Sequence, residues 1–182
     1  MKPFRYYLRV RYGECDAQKV VFNSRYSDYV DVSINEFLRA IGILDDFVSG
    51  HLDFQLVKQT IEWKAPARFD QVLELSIAAT RLGNTSFTLA TEFRIAGPVN
   101  GVNGVNPIDA VHAVNRVSAV SPDTRGNHQQ AIATVETVYV LVDAKTLTKL
   151  PLPDQLRAAL QDGARGRETD HAGYLSDAHA RG

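Results

Sequence analysis

One aspartate, Asp16, lies in a short turn-like segment directly before an amphipathic helix. An ionised carboxylate can act as a nucleophile or as a general base. The first backbone N–H groups of a helix have no intrahelical partner, and the helix dipole places partial positive charge there. Such N–H groups can hold a developing oxyanion. Asp16 and the helix start at Asn23 are therefore candidates for the two halves of a catalytic site.

The other reactive residue types do not form a recognised pattern in the sequence. No G-x-S-x-G segment offers a serine nucleophile. The five histidines form neither H-E-x-x-H nor a pair at i, i+4. A single cysteine cannot supply a thiolate cage, so we predict no metal ion. Without a nearby histidine or cation, Cys15 is predicted to be a small packing residue rather than a nucleophile.

Length and composition indicate one soluble globular domain. The chain has 182 residues, of which 45% are hydrophobic and 23% charged, which is enough for a full core. Its 20 basic residues balance 21 acidic ones, so nucleic acid is not an expected partner. No run approaches the roughly 18 apolar residues of a membrane span, so no membrane contact is expected. With one cysteine, a reducing, cytoplasmic location is expected.

The elements predicted around Asp16 give an α+β fold. Alternating apolar residues from Phe4 to Tyr12 predict a strand. Apolar positions at helical spacing predict a long helix over about 24–41, with Asn23 or Ser24 as its cap and Gly42 at its end. Runs rich in Val, Ile, Thr and aromatic residues predict four further strands, at 54–64, 71–81, 85–95 and 131–142, the second and third forming a hairpin at Gly83-Asn84.

The remaining segments are predicted to add little to this core. Residues 1–161 are expected to form one domain with a loop insertion at 97–130, in which Ala110–Val120 could form an extra strand. A short helix is predicted from Pro153-Asp154 through Leu160. Residues 162–182 contain few large apolar side chains and are expected to be a disordered tail. One helix followed by consecutive strands favours an antiparallel sheet folded over the helix.

The segment around Asp16 resembles the 4-hydroxybenzoyl-CoA thioesterase branch of the hotdog-fold family. The similarity covers about 4–96 and 131–160 and rests on four motifs: Tyr12-x-x-x-Asp16-x-x-x-Val20-Val21-Phe22-x-x-x-Tyr26, Glu36-Phe37-Leu38-Arg39, Pro66-Ala67-Arg68-Phe69-Asp70, and Val142-Asp143 with Leu150-Pro151-Leu152-Pro153. It implies an antiparallel sheet wrapped around one long central helix. It also implies hydrolysis of an acyl- or aroyl-CoA thioester, with coenzyme A entering as part of the substrate and no other cofactor.

The resemblance also assigns roles to individual residues. Asp16 matches the catalytic aspartate, and Asn23 matches the residue whose backbone amide polarises the thioester carbonyl. Tyr26 matches a tyrosine that lines the acyl pocket. Val21, Phe22 and Tyr26 are taken as substrate-binding candidates. Lys64 and Arg68 are added because of their charge, which could pair with the phosphates of coenzyme A. Family members pair two such units into a continuous sheet, so a homodimer or homotetramer is expected.

Plainer interpretations stand beside these roles. An aspartate in a strand-to-helix turn often only stabilises the turn, and Asn23 can be a simple helix cap. Tyr26 is first a core residue, and cations such as Lys19, Lys58, Lys64 and Arg68 are commonly solvated.

One departure from the family pattern bears on the function. The family usually has glycine where this chain has Lys19, and lysine strains a turn that needs positive φ. Together with Asn23, which matches a histidine in one subgroup of the family, and with the long insertion, Lys19 makes a catalytically silent module that binds an acyl thioester or small ligand the alternative function. A hydratase or dehydratase is a lesser one, since no histidine lies near the helix.

Overall fold

A six-stranded sheet and one long helix form the body of the protein. The computed structural model describes residues 2–50, 52–97 and 130–179. The strands are β1 (Phe4–Arg9), β2 (Asp53–Trp63), β3 (Val72–Leu82), β4 (Ser86–Ile95), β5 (Ala133–Val142) and β6 (Glu168–Asp170). The helices are α1 (Arg25–Ala40), α2 (Leu44–Val48), α3 (Asp154–Asp162) and α4 (Tyr174–His179).

The strand order across the sheet is β2-β5-β4-β3-β1-β6. All neighbours are antiparallel except β6, which runs parallel to β1. The predicted hairpin at Gly83-Asn84 joins β3 to β4, with the Gly83 N–H donating to the Ser86 carbonyl at 2.7 Å. The predicted α+β architecture is confirmed, and the one parallel pair is an addition to the expected antiparallel sheet.

Helix α1 packs its apolar stripe against one face of the sheet. Seven of its side chains are buried, at the helical spacing that the sequence shows: Tyr26, Tyr29, Val30, Ser33, Ile34, Phe37 and Leu38. The helix stops at Ala40, and Gly42 supplies the predicted left-handed residue after it, with φ of +78°. There the Ile43 N–H donates to Leu38 and the Gly42 N–H to Arg39, each at 3.1 Å. This pattern is a Schellman motif, which uses the left-handed freedom of glycine.

Strand β1 is shorter than the alternation of its side chains predicts. It stops at Arg9, and residues Tyr12–Glu14 form one turn of 3-10 helix. The side chain of Tyr12 is consequently 82% exposed instead of continuing the buried face. The turn forms because Glu14 and Cys15 donate backbone N–H bonds to the carbonyls three residues earlier. The chain is thereby redirected from the sheet towards the start of α1.

The prediction of a disordered tail is wrong for the part of it that the structure describes. Strand β6 pairs with β1, and the ring of Tyr174 stacks on Tyr7 with centroids 5.1 Å apart. The Tyr6 hydroxyl lies 2.9 Å from Nδ1 of His171. A few aromatic contacts and a backbone ladder hold this segment, so its low apolar content is a poor guide to its order. The predicted insertion strand, Ala110–Val120, lies outside the described residues.

Candidate active site

The segment between β1 and α1 is a compact loop fastened at both ends. At its start, the Val10 N–H donates to the Gln71 carbonyl at 2.9 Å. Near its end, the Val21 N–H donates to the Ala67 carbonyl at 2.8 Å. Val20 and Arg68 form an isolated antiparallel bridge. These backbone bonds hold residues 10–21 against residues 67–71 and fix the direction in which the chain enters α1.

Asp16 lies at the first position of a tight turn inside this loop. Its Oδ1 accepts the backbone N–H of Gln18 at 2.8 Å and that of Val20 at 3.4 Å. Its own N–H donates to the Val20 carbonyl, and its carbonyl accepts the Lys19 N–H, both at 2.9 Å. Oδ2 has no hydrogen-bond partner within residues 2–50, 52–97 and 130–179. Asp16 therefore stabilises its turn with one oxygen and leaves the other available.

Lys19 occupies the left-handed region, with φ of +63°. This conformation crowds the Cβ of any L residue and suits glycine. The position is the one at which the sequence departs from the glycine of the family pattern. The lysine side chain is exposed, so the structure accommodates it at the surface while the backbone keeps the glycine-like conformation.

The start of α1 carries two unpartnered amides. The carbonyls of Phe22, Asn23 and Ser24 accept the N–H groups of Arg25, Tyr26 and Ser27. The N–H groups of Asn23 and Ser24 have no partner in the described chain, and both residues are exposed. Ser24 has helical φ and ψ of −65° and −24°, and its side chain makes no capping hydrogen bond. The Asn23 side chain has no hydrogen bond within the described residues either. The expected side-chain cap is therefore wrong, and the open amides remain free for a ligand.

The predicted acyl-binding residues fall into a buried and an exposed group. Val21 and Tyr26 are buried, and the Tyr26 ring lies against Phe93 with centroids 5.3 Å apart. Burial raises the pKa of Tyr26, while a backbone hydrogen bond from Ala67 opposes that rise. Phe22, by contrast, is 54% exposed. Phe22 thus offers apolar surface beside the open amides, and Tyr26 belongs to the core behind it.

The predicted cationic residues near the loop are solvated. Lys64 and Arg68 are exposed, and neither side chain has an ion-pair or hydrogen-bond partner within the described residues. Their backbone N–H groups are used by Ile132 and by the side chain of Gln71. Lys58 differs, since its Nζ lies 3.8 Å from the Glu136 carboxylate. Lys64 and Arg68 are thus free to meet an anionic group.

Cys15 does not have the environment of a nucleophile. Burial raises the pKa of its thiol, and the charges of Glu14 and Asp16 raise it further. Its Sγ points to the Arg11 carbonyl at 3.8 Å. The side chain stays protonated at neutral pH, as the prediction of a packing residue requires.

Two further findings concern metal binding and membrane spans. No group of three or more His, Cys, Asp or Glu side chains suited to a metal ion occurs in residues 2–50, 52–97 and 130–179. In the same residues, no helix has the length and hydropathy needed to cross a membrane.

Glu14 is a functional candidate that the sequence analysis did not single out. Its Oε2 accepts both the Tyr29 hydroxyl and the Arg11 N–H, each at 2.7 Å. The sequence signal for this contact is an acidic residue two positions before Asp16, together with a tyrosine on the buried stripe of α1. Glu14 and Tyr29 come into contact only when the loop folds onto the helix, so their contact could not be predicted from the sequence pattern.

Comparisons with known proteins identify the family to which the chain belongs. The family model described as "thioesterase-like superfamily" matches residues 10–160. The 1,4-dihydroxy-2-naphthoyl-CoA hydrolase of Synechococcus elongatus is 22% identical over 164 residues, which are 88% of this chain and 97% of the relative. The acyl-CoA thioester hydrolase YbgC of Escherichia coli O6:H1 is 32% identical over 84 residues, which are 46% of this chain and 63% of the relative.

Solved structures show the same fold. A structure of a 4-hydroxybenzoyl-CoA thioesterase variant with 4-hydroxybenzoyl-CoA superposes with a TM-score of 0.66 at 13% identity, covering 88% of this chain and 99% of that one. The hotdog fold expected from the sequence is therefore confirmed. Since the family model covers residues 10–160, from the residue after β1 into α3, the chain belongs to the thioesterase-like superfamily.

Proposed function

We propose that this protein is an acyl-CoA thioesterase that hydrolyses an acyl- or aroyl-CoA to the free acid and coenzyme A. One observation supports this most strongly: Asp16 has an unpartnered carboxylate oxygen in a fixed turn, and the helix that follows begins with two unpartnered amides. Membership of the thioesterase-like superfamily and relatives named as hydrolases of CoA thioesters support the same reaction.

In the proposed reaction, the helix start binds the thioester carbonyl oxygen. The N–H groups of Asn23 and Ser24 donate to that oxygen and stabilise the negative charge that develops on it. Oδ2 of Asp16 removes a proton from water, whose oxygen adds to the carbonyl carbon. The C–S bond then breaks, and the sulfur of coenzyme A takes up the proton.

A second route uses the same atoms in a different order. Oδ2 of Asp16 attacks the carbonyl carbon directly, the C–S bond breaks, and a mixed anhydride forms on the enzyme. Water then adds its oxygen to the acyl carbon, the Asp16 carboxylate leaves, and one proton of that water goes to the thiolate sulfur released in the first step. Both routes give the same free acid and the same thiol, and both need the free oxygen of Asp16.

The substrate is proposed to lie across the exposed rim of the loop. Phe22 contacts the acyl group beside the amides, while Val21 and the Tyr26 ring form the apolar floor. Lys64 and Arg68, exposed and without a partner in the described chain, pair with the phosphates of coenzyme A. The named relatives act on acyl-CoA and on an aroyl-CoA, which supports a substrate in this range.

The first experiment measures free-thiol release from aryl-, short-, medium- and long-chain acyl-CoA substrates. Asp16→Asn is the informative variant, because the asparagine Oδ1 can still accept the N–H groups of Gln18 and Val20. The turn and the fold are thus retained while the base or nucleophile is lost. We expect kcat to fall by a factor of about 10² to 10⁴.

Asp143→Asn is the matched control. Asp143 also uses Oδ1 to hold two backbone N–H groups, those of Lys145 and Thr146, at 3.0 and 2.8 Å. Its turn follows β5, outside the loop between β1 and α1, so its replacement should leave turnover unchanged. Undiminished turnover in Asp16→Asn would refute the proposed role. Stoichiometric ligand binding without turnover in the wild type would favour the silent binding module instead.

A further inference from the structure

The Glu14 side chain joins the loop to the helix. Its Oε2 accepts the Tyr29 hydroxyl from the buried face of α1 and the Arg11 N–H from the start of the 3-10 turn. Both distances are 2.7 Å, within the normal range for well-formed hydrogen bonds. One oxygen atom thus connects the turn before Asp16 to the second turn of the helix.

The Glu14 backbone adds a third connection. Its carbonyl accepts the Phe22 N–H at 2.9 Å. The next two N–H groups along the chain are the unpartnered ones of Asn23 and Ser24. In the other direction, Asp16 follows Glu14 by two residues. Glu14 therefore contacts the segments that carry both halves of the site.

We propose that Glu14 is a positioning residue that holds the Asp16 turn in register with the amides at the start of α1. This inference rests on the proposed function, because it assigns to Glu14 the relative placement of the two groups that act on the thioester. Glu14 itself does not meet the substrate. It acts through Tyr29, Arg11 and Phe22.

The environment of the pair makes its bonds difficult to replace. Tyr29 is 6% exposed, and burial followed by the Glu14 hydrogen bond raises the pKa of its hydroxyl well above the ordinary value. The hydroxyl therefore stays protonated and donates throughout the physiological range. A buried hydroxyl that loses its acceptor keeps the cost of desolvation without the compensating bond. Removal of the carboxylate should consequently loosen the loop from the helix.

The test compares Glu14→Ala with Glu14→Gln in the full-length protein. Alanine removes the acceptor, whereas glutamine keeps an oxygen for Tyr29 and Arg11. We expect Glu14→Ala to lower kcat by about 10- to 100-fold, because a displacement near 1 Å has that effect on catalysis. KM should change by less than about threefold, and Glu14→Gln should recover most of kcat. Tyr29→Phe should lower kcat in the same direction.

The Tyr7–Glu74 pair provides a chemically matched control. There too a tyrosine hydroxyl donates to a part-buried glutamate, at 3.0 Å, but the pair joins β1 to β3 away from the loop. Glu74→Ala should reduce stability and leave kcat of the folded protein unchanged. An equal fall of kcat in Glu74→Ala and Glu14→Ala would show a merely structural effect and overturn the proposal.

Hydrogen exchange gives a readout that needs no substrate. Glu14→Ala should speed exchange at least tenfold at the hydrogen-bonded amides of residues 15–22 while exchange in β4 stays unchanged. Unchanged exchange at these amides would overturn the proposal whether or not the protein turns over thioesters. Absence of turnover in the wild type would refute the proposed function alone, and exchange would then decide the role of Glu14.

Discussion

The two oxygens of the Asp16 carboxylate differ in their hydrogen bonds. Oδ1 is occupied by the N–H groups of Gln18 and Val20, so the side chain has little rotational freedom. Oδ2 is held in a defined direction as a result, without a bond of its own in the described chain. A catalytic group that is already oriented needs no further ordering when the substrate arrives. Asp16 can therefore stabilise the turn and still be a catalytic candidate.

Lys19 gives a direct test of backbone strain in this turn. We expect Lys19→Gly to raise the free energy of unfolding by about 0.5–1 kcal/mol. Relief of the left-handed lysine, worth about 1–2 kcal/mol, outweighs the extra entropy that glycine gives to the unfolded chain. Equilibrium unfolding in urea measures the change. Lys19→Ala should bring no comparable gain, because alanine keeps the Cβ at the same φ of +63°.

The control for this prediction is Lys145→Gly. Lys145 is another exposed turn lysine, but it is not among the residues with positive φ in the described chain. Glycine there should lower stability, because only the entropic effect on the unfolded chain remains. A loss of stability in Lys19→Gly equal to that in Lys145→Gly would contradict the strain at Lys19.

At the residue scale, the sequence singles out candidate groups that lie close together along the chain and misses contacts that form across the fold. Asp16 and Asn23 stand out because a carboxylate and a helix start lie a few residues apart. Lys19 stands out because the family that the sequence resembles usually has glycine at this position. Glu14 and Tyr29 are 15 residues apart and meet only when the loop folds onto α1. The predicted side-chain cap does not form, and helical φ and ψ already begin at Ser24.

The C-terminal segment shows how an element with few apolar residues can still be ordered. Asp170, the last residue of β6, accepts the N–H groups of Ala172 and Leu175 with its two carboxylate oxygens. This places α4 directly after β6 and brings Tyr174 over Tyr7. Tyr7 is only 3% exposed as a result, although its position in the alternating pattern predicts the outer face. A short ladder, the hydrogen bonds of Asp170 and two aromatic pairs, Tyr7–Tyr174 and Tyr6–His171, together replace a long apolar stripe.

Substitutions at Tyr174 should measure how much this docking contributes. We expect Tyr174→Ala to lower the free energy of unfolding by about 2 kcal/mol, because the stacked ring and its burial are lost. Tyr174→Phe keeps the ring and removes only the hydroxyl that donates to the Gly97 carbonyl. It should cost about 1 kcal/mol. Thermal and urea unfolding of both variants provide the values.

The pair of variants separates docking from the single hydrogen bond. Full stability in both Tyr174→Ala and Tyr174→Phe would show that the C-terminal segment does not stabilise the sheet. Turnover should be unaffected in either variant, because Tyr174 lies beyond β1 on the side of the sheet where Tyr7 and Glu74 meet. The comparison therefore also tests whether the outer face is independent of the candidate site.

Helices and strands of the core could be predicted because their periodicity is local. The helix predicted at about 24–41 is Arg25–Ala40, and the four later strands lie within two residues of their predicted ends. Helix α2 and strand β6 could not be predicted, since five and three residues are too few to show a period. Whether these two short elements form depends on contacts with residues far away in the sequence. The end of β1 at Arg9 is also decided by the 3-10 turn that follows it.

For the whole molecule, the two edges of the sheet are unequal. At one edge, β6 is only three residues long and leads directly into α4. At the other, β2 is 11 residues long and has β5 as its only neighbour in the described chain. Leu56, Val57 and Trp63 on β2 are each about half exposed. A long edge with exposed apolar side chains is a site for pairing with another chain.

The unequal edges lead to the prediction of a homodimer formed across β2. A second copy placed antiparallel on β2 satisfies its free backbone groups and covers the three apolar side chains, with each copy using the same surface. Sedimentation equilibrium at micromolar concentration should therefore give twice the mass of the 20.1 kDa chain. Val57→Lys should shift the protein towards monomer, because the contact would place two like charges in an apolar interface.

Val48→Lys is the matched control: Val48 is 79% exposed on α2, outside the sheet edge, and its replacement should leave the mass unchanged. A wild-type monomer at this concentration would contradict the dimer. Loss of turnover in parallel with dissociation of Val57→Lys would further show that Asp16 acts only when a second chain completes its surroundings.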